Sequence, residues 1–582
     1  GEACCRVCRA AAMGGGRAGA AAEAADDDRR RDSGWAWAFA VLLPLRLLSA
    51  ASAPIMDCDE TFNYWEPLRY LSYKGAGGGM QTWEYSPVFA LRSYLYLELH
   101  GILLHVGRAL FSLNDVQSFY WLRSCLAVLS AGSEAIFCSA VSEQLGPRVG
   151  ILTLAFIAPA SGMFHASVAL LPTTTCMYCV LLGFAAWLRR HYVIGLLCGS
   201  FAVLLAWPFA ALAFVPMGLD ALRPGALGPT GVVSVALGAL LAFGCLPALF
   251  DGWYYGAGRP VSAVANIFLY NAMGQGGGGR GADLYGTEPP SFYVKNLLLN
   301  FNLVAPLGLL AAPVLAAVPA SGRWRRLLVA SPAYLALLLF GAMAHKEERF
   351  LTPIYPLLCF GAAASLDAVL GGIERAVIAI GLCRKAPARV GCSVLAALLV
   401  GAAAALSISR SMALHVNFRA PLRVYESLYY HSAGQSVPSR AGSVCIGKEW
   451  YRFPSSFFLP RWSSRSVSPL LWLNSSFGGQ LPRPFEPWPG GLSIAPPHMN
   501  DRNEEEASRY SKISDCSFIV DFQLPQQEEP PLDPSTWEPL ICEPFLDAER
   551  SRLPWRAFHV PFGISQRRNV YAEYCVWRRK GE

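Results

Sequence analysis

MDCDETFNYWEP (residues 56–67) follows directly on the first strongly apolar run of the chain and sets three carboxylates, Asp57, Asp59 and Glu60, where that run has just ended. If the run crosses a lipid layer, these acids stand at a membrane face, either as a plain hydrated rim or as part of a site. Composition decides the first half of that question. Of 582 residues, 53% are hydrophobic and only 15% are charged. The mean hydropathy of +0.33 is spread along the chain, which excludes an ordinary soluble enzyme and points to a polytopic α-helical membrane protein.

Runs long enough to cross a hydrocarbon layer of about 30 Å fall at 35–54, 118–141, 149–167, 169–188, 192–219, 229–251, 296–320, 327–344, 350–372 and 390–409. Arg29, Arg30 and Arg31 hold the N-terminal side in the cytosol, because basic residues favour that face, so residues 57–60 emerge opposite. Reading 35–53 as a cleaved signal peptide ending in SAASA leaves that side unchanged. RRH at 189–191 and RWRR at 323–326 are both cytosolic only if 192–219 crosses twice or folds back. Trp207-Pro208 supplies the break, since proline lacks a donor and kinks a helix. The runs therefore predict about 11 transmembrane helices.

This parity puts four polar segments on the non-cytosolic side: 55–115, 252–295, HKEER at 345–349, and the chain from about 410 onward. The expected organisation is a disordered cytosolic tail over 1–34, a membrane domain over 35–409 and a C-terminal lumenal domain over 410–582 that mixes short strands and helices. The last carries a glycosylation triplet at Asn474 and four cysteines, Cys445, Cys516, Cys542 and Cys575, an even number suited to disulfides whose pairing the sequence leaves open. Most of the seventeen cysteines lie singly in apolar runs, Cys4, Cys5 and Cys8 lack partners at metal-ligand spacing, and no CxxC pair recurs at finger-like distances, so no metal site is expected. The net charge of +7 comes in short clusters rather than a stripe, which does not describe a nucleic-acid surface.

The aromatic residues of FNYWEP, and of QTWEYSPVFALRSYLYLELH at 81–100, suit amphipathic helices lying at the headgroup layer. Desolvation there raises a carboxylate's proton affinity, which is what a general base needs. HKEERF at 345–350 sets His345, Lys346 and Arg349 on the side that basic residues avoid, either as an ordinary charged loop or as ligands of a phosphate. DLYGTEPPSFYVKN at 283–296 is a plain turn before a helix or a further contact. Together they describe a membrane-level cationic pocket for a lipid phosphate facing a carboxylate, a set that can act without a divalent ion.

DCDETFNYWEP, QTWEYSP, DLYGTEP, HKEERFLTPIYPL, GKEWYRFPSSFFLP and MNDRNEEEASRY resemble, in order and spacing over about 35–580, the dolichyl-phosphate-mannose-dependent mannosyltransferases of the endoplasmic reticulum, glycosyltransferase family 22. The C-terminal motifs point to the α-1,2 branch, which extends the lipid-linked oligosaccharide of asparagine-linked glycosylation. The resemblance implies the GT-C fold, a multi-pass protein with a lumenal site, and inverting transfer to six- and eight-mannose dolichyl-diphosphate intermediates. It implies Asp59 as base with Glu60 as alternate and Asp57 behind them. It further implies His345, Lys346 and Arg349 on the donor phosphate, and Trp65, Glu84, Tyr85 and Arg92 around the sugar. Tyr285 and Glu288 would contact the acceptor, and no metal or other cofactor is expected. The implied partners are dolichyl-phosphate-mannose, the dolichyl-diphosphate oligosaccharide and membrane lipids. GQGGGGRGA at 274–282 and residues 1–34 depart from the family pattern. The competing readings are a sister α-1,6 or glycolipid-anchor mannosyltransferase and a non-enzymatic lipid-oligosaccharide carrier; the carrier calls for internal inverted repeats, which the sequence does not display.

Overall fold

The computed structural model describes residues 34–75, 78–272, 284, 286–432, 442–463, 466–467, 469–524 and 532–581. Residues 1–33 of the expected N-terminal tail, the GQGGGGRGA loop and Tyr285 lie outside them, while Gly34 already belongs to the first helix.

Among the described residues, six helices are long and apolar enough to cross a membrane: Gly34–Ser52, Asp115–Leu145, Gly228–Tyr254, Arg323–Ala342, Glu348–Ala379 and Lys385–Phe418. Four shorter apolar helices are Pro147–Ile157, Pro172–Leu188, Tyr192–Ala206 and Pro208–Ala221. One further apolar segment runs as Ser291–Phe301, Val304–Leu309 and Ala311–Ala317, broken at Asn302. Together these make eleven apolar segments among the described residues, of which six are long enough to cross a membrane as single helices.

The connections alternate between two ends of the bundle. At one end Arg326 donates to the Leu145 carbonyl (2.9 Å) and pairs with Asp367 (2.7 Å), Arg325 donates to the Leu188 carbonyl (2.6 Å), and Arg189 pairs with Glu143 (2.7 Å). The basic flanks thus satisfy the carbonyls that helix C-termini leave unpaired. At the other end Arg349 meets Asp57 and Asp59, the Leu170 amide donates to Glu60 (3.1 Å), and His415 donates to the Ser52 carbonyl (2.8 Å).

Two breaks have local causes. Trp207 is extended (φ −150°, ψ 115°), as a residue before proline prefers, and its ring stacks on Phe340 (5.5 Å) and Phe350 (5.6 Å). Asn302 has a positive φ of 42°, and its amide donates to Ser407 Oγ (2.8 Å), so the polar side chain is paired inside the bundle. A charge also lies in the first crossing: Arg46 forks onto Glu134 (2.7 Å), with both side chains fully buried, and donates to the Ile157 carbonyl (3.0 Å).

The last crossing runs to Phe418, past the expected boundary near 410, because Ser409, Arg410 and Ser411 keep helical geometry after the apolar run has ended. Beyond the helix Ala420–Ser432, a five-stranded sheet is ordered Leu470–Trp472, Val444–Ile446, Phe518–Phe522, Tyr571–Arg579, Trp537–Leu546. The first three strands are mutually parallel and the last two antiparallel, with disulfides Cys445–Cys516 and Cys542–Cys575 bracing neighbours. This unit docks on the first polar loop. Met80–Gln81 pairs antiparallel with Arg483–Pro484, and the fully buried Glu66 accepts from Ser455 Oγ (2.9 Å), the Ser456 amide (2.6 Å) and Ser456 Oγ (2.6 Å).

Removing one partner of a buried pair strands the other charge, at a cost of about 3–5 kcal/mol. Glu134→Ala should therefore lower the thermal midpoint of the detergent-solubilised protein strongly. Glu374→Ala, which loses a pair whose arginine is mostly exposed, should leave it nearly unchanged.

Candidate active site

Asp57 begins the first loop's helix, its side chain accepting from the Asp59 amide (3.0 Å). The helix passes from Cys58–Glu60 through a wider π turn at Thr61–Trp65 into Glu66–Ser72. This winding turns Cys58, Asp59, Phe62 and Asn63 toward a cavity of about 570 Å³ and turns Glu60 and Trp65 away from it.

At the cavity wall the two polar clusters meet. Arg349 Nη1 contacts Asp57 Oδ2 (2.6 Å) and its Nη2 contacts Asp59 Oδ2 (2.6 Å), while Glu347 closes on the same guanidinium. On the other side of Asp59, Arg92 approaches it (3.8 Å), pairs with Glu84 and donates to the Tyr64 hydroxyl (2.6 Å). His345 has acceptors at both ring nitrogens, the Gly286 carbonyl (2.8 Å) and Glu347 (3.0 Å), an arrangement that favours the imidazolium.

These contacts separate the proton affinities. Burial pushes Asp57 up to about 6, against the opposing pull of Arg349. Burial acts on Asp59 in the same sense, but Arg349 and Arg92, with hydrogen bonds from Arg349 and Asn63, outweigh it and hold Asp59 below the usual carboxylate range. Burial also raises Glu84 despite Arg92. The hydrogen bond to Glu347 raises His345 against its own burial.

Asp57, Cys58 and Asp59 bring three potential metal ligands within 4.8 Å of one another. They suit a divalent ion poorly. Both carboxylates are already committed to Arg349, and burial raises the Cys58 thiol, keeping it protonated and a weak ligand.

Of the residues singled out from sequence, Asp59, Glu84, Arg92, His345 and Arg349 line the cavity. Five others do not. Glu60 is buried, accepting from Trp65 Nε1 (3.0 Å) and the Leu170 amide, so it anchors the loop instead of offering an alternate base. Trp65 packs on Phe119 (4.3 Å) in the core, and Tyr85 donates to the Asn63 carbonyl (2.6 Å) from beneath the wall. Lys346 caps carbonyls, including that of Glu288 (2.7 Å), and Glu288 itself is exposed outside the cavity, its amide donating to the Ala344 carbonyl (3.0 Å). The predicted glycosylation residue Asn474 is exposed.

Other lining residues escaped the sequence reading. Asn63, Tyr64 and Trp207 come from the membrane side, and Trp450, Phe477, Gln480 and Asn503 come from the C-terminal unit. Trp450 and Asn503 stand inside GKEWYRFPSSFFLP and MNDRNEEEASRY, so the motifs marked the segments without assigning their role.

Residues 37–460 match the family described as Alg9-like mannosyltransferases. The chain is 38% identical over 561 residues to the α-1,2-mannosyltransferase ALG9 of Mus musculus, covering 93% of this chain and 88% of that protein. It is 36% identical over 569 residues to the α-1,2-mannosyltransferase ALG9 of Arabidopsis thaliana, covering 94% and 92%. Among solved structures, ArnT from Cupriavidus metallidurans bound to undecaprenyl phosphate superposes with a TM-score of 0.49 at 12% identity, over 76% of this chain and 87% of that one. With the family matched across most of the membrane bundle and relatives aligned along more than nine-tenths of its length, the chain belongs to the Alg9-like mannosyltransferase family, as a helical membrane enzyme.

Proposed function

We propose that the protein transfers mannose from dolichyl-phosphate-mannose to the 2-hydroxyl of a mannose on the dolichyl-diphosphate oligosaccharide, with inversion, in the endoplasmic reticulum and on its lumenal side. The observation that carries this reading is Arg349 held between Asp57 and Asp59 at the wall of one cavity. Membership of the family and the names of its α-1,2-transferring relatives support the linkage. Disulfides and an exposed Asn474 on the unit that shares the cavity support the lumenal side.

In this reading the donor phosphate takes over part of Arg349. Asp59 loses an ion-pair partner, gains proton affinity, and can accept the acceptor's hydroxyl proton. The hydroxyl oxygen bonds to the sugar's anomeric carbon as the carbon–oxygen bond to phosphate breaks. The leaving dolichyl phosphate gains the negative charge that Asp59 gives up on protonation. The site's net charge is thus conserved, and Arg349, with Arg92 nearby, neutralises the anion before and after the step. Glu84 sets Arg92, and His345 sets Glu347 against Arg349. Negative charge beside the ring stabilises the oxocarbenium-like transition state. Trp450 and Phe477, 4.8 Å apart, offer ring faces to an acceptor sugar, and the amides of Gln480 and Asn503 suit its hydroxyls. Six- and eight-mannose acceptors are the proposed substrates.

Asp59→Asn should lower transfer by about 100- to 10,000-fold, measured with purified protein, dolichyl-phosphate-mannose and defined acceptors; near-normal transfer would remove Asp59 as base. Asp57 must be ionised to hold Arg349, so kcat/KM should fall as pH drops through about 6. In Asp57→Asn that acid limb should vanish while a lower, flatter rate remains. EDTA should leave the rate unchanged, and a loss restored by a divalent ion would overturn the metal-free reading. Extension of the seven-mannose acceptor alone would favour the α-1,6 sister activity.

A further inference from the structure

A second cavity, of about 260 Å³, opens at the same end of the bundle and shares no lining residue with the first. It sits between the end of Gly34–Ser52, the first turns of Asp115–Leu145, and the join between Lys385–Phe418 and Ala420–Ser432. Its polar lining is Ser52, Tyr120, Ser124, His415, Arg419 and Arg423, with Glu426 as the single carboxylate among the described residues.

His415 sets the geometry. Its Nδ1–H donates to the Ser52 carbonyl (2.8 Å), which leaves Nε2 to accept from Arg419 Nη1 (3.4 Å). The half-buried Arg419 is thereby aimed while its remaining donors, and all those of Arg423, have no carboxylate in ion-pair range among the described residues. Glu426 is engaged by the Tyr120 hydroxyl (3.5 Å).

Below this polar head the flanking helices turn apolar on the same faces. Leu48 lies one turn beneath Ser52, Val128 one turn beneath Ser124, and Met412 and Ile408 continue the stripe of Arg419 and His415; all four are exposed. The hydroxyl protons of Ser52, Ser124 and Tyr120 go to the Leu48 carbonyl, the Tyr120 carbonyl and Glu426, so the two guanidinium groups are the donors at headgroup level, and with apolar side chains continuing toward the layer's interior they fit a phosphate that carries acyl chains better than a free anion. We infer that this cavity binds an anionic glycerophospholipid of the surrounding membrane, with its phosphate on Arg419 and Arg423 and its chains along the three stripes. The polyprenyl substrates react in the other cavity, so the occupant here is a resident lipid.

The experiment titrates phosphatidylinositol against the purified full chain in detergent and follows the bound species by native mass spectrometry. The wild-type protein should retain one phosphatidylinositol and bind phosphatidylcholine about tenfold more weakly. R419A/R423A should bind phosphatidylinositol about thirtyfold more weakly than wild type, and Arg349→Ala, in the other cavity, should bind it as wild type does. If R419A/R423A fails to fold, Arg423→Glu, at an exposed position, carries the same expected loss. Equal retention by wild type and the folded arginine variant overturns the assignment, as does equal binding of phosphatidylcholine. Displacement by millimolar inorganic phosphate would reduce the cavity to an anion site, and displacement by equimolar dolichyl phosphate would make it part of the substrate path; either result also overturns it.

Discussion

One guanidinium joins the two halves of the candidate site. Arg349, in the first turn of Glu348–Ala379, reaches Asp57 across 292 residues of sequence and Asp59 across 290. The pairing has a physical cost. Three charges leave bulk water at a half-buried wall, and such a set is tolerated only when each member finds close, well-directed partners. Glu347 and Arg92 complete that set, so each charge already faces an opposite one before any substrate enters.

Pairing of this kind suits the proposed transfer, which moves negative charge from a base to a leaving phosphate without changing the total. A cation shared by two carboxylates can exchange one of them for phosphate oxygen with little reorganisation. The low dielectric of the cavity strengthens each contact that replaces water. The unequal proton affinities of Asp57 and Asp59 arise from the same cause, since both are buried but only Asp59 also faces Arg92.

The C-terminal unit is part of this apparatus. Glu66 takes three hydrogen bonds from Ser455 and Ser456, and Met80–Gln81 adds to Arg483–Pro484, so the first loop and the sheet unit hold each other in place. Trp450, Phe477, Gln480 and Asn503 reach the cavity because of that docking. Aromatic faces beside amide groups are the chemistry of sugar recognition, and here they stand opposite the charged cluster rather than in a separate domain.

The linear order of residues by itself determined the class of fold. Apolar runs mark a polytopic helical bundle, because crossing a lipid layer depends on local hydropathy, and the Trp207-Pro208 pair marks a helix break that the structure contains. It also determined that acids at 57–60 and cations at 345–349 share one side. What it could not distinguish is which way each side chain faces. Asp59 and Glu60 are adjacent and chemically alike, yet the π turn sends Asp59 into the cavity and Glu60 onto Trp65 and Leu170. Lys346 and Arg349 share one short cluster, yet the first is drawn to nearby carbonyls and only the second to the carboxylates. Only tertiary structure decided these roles, because they depend on partners hundreds of residues away, and the same long-range packing brought Trp450 and Asn503 to the cavity wall.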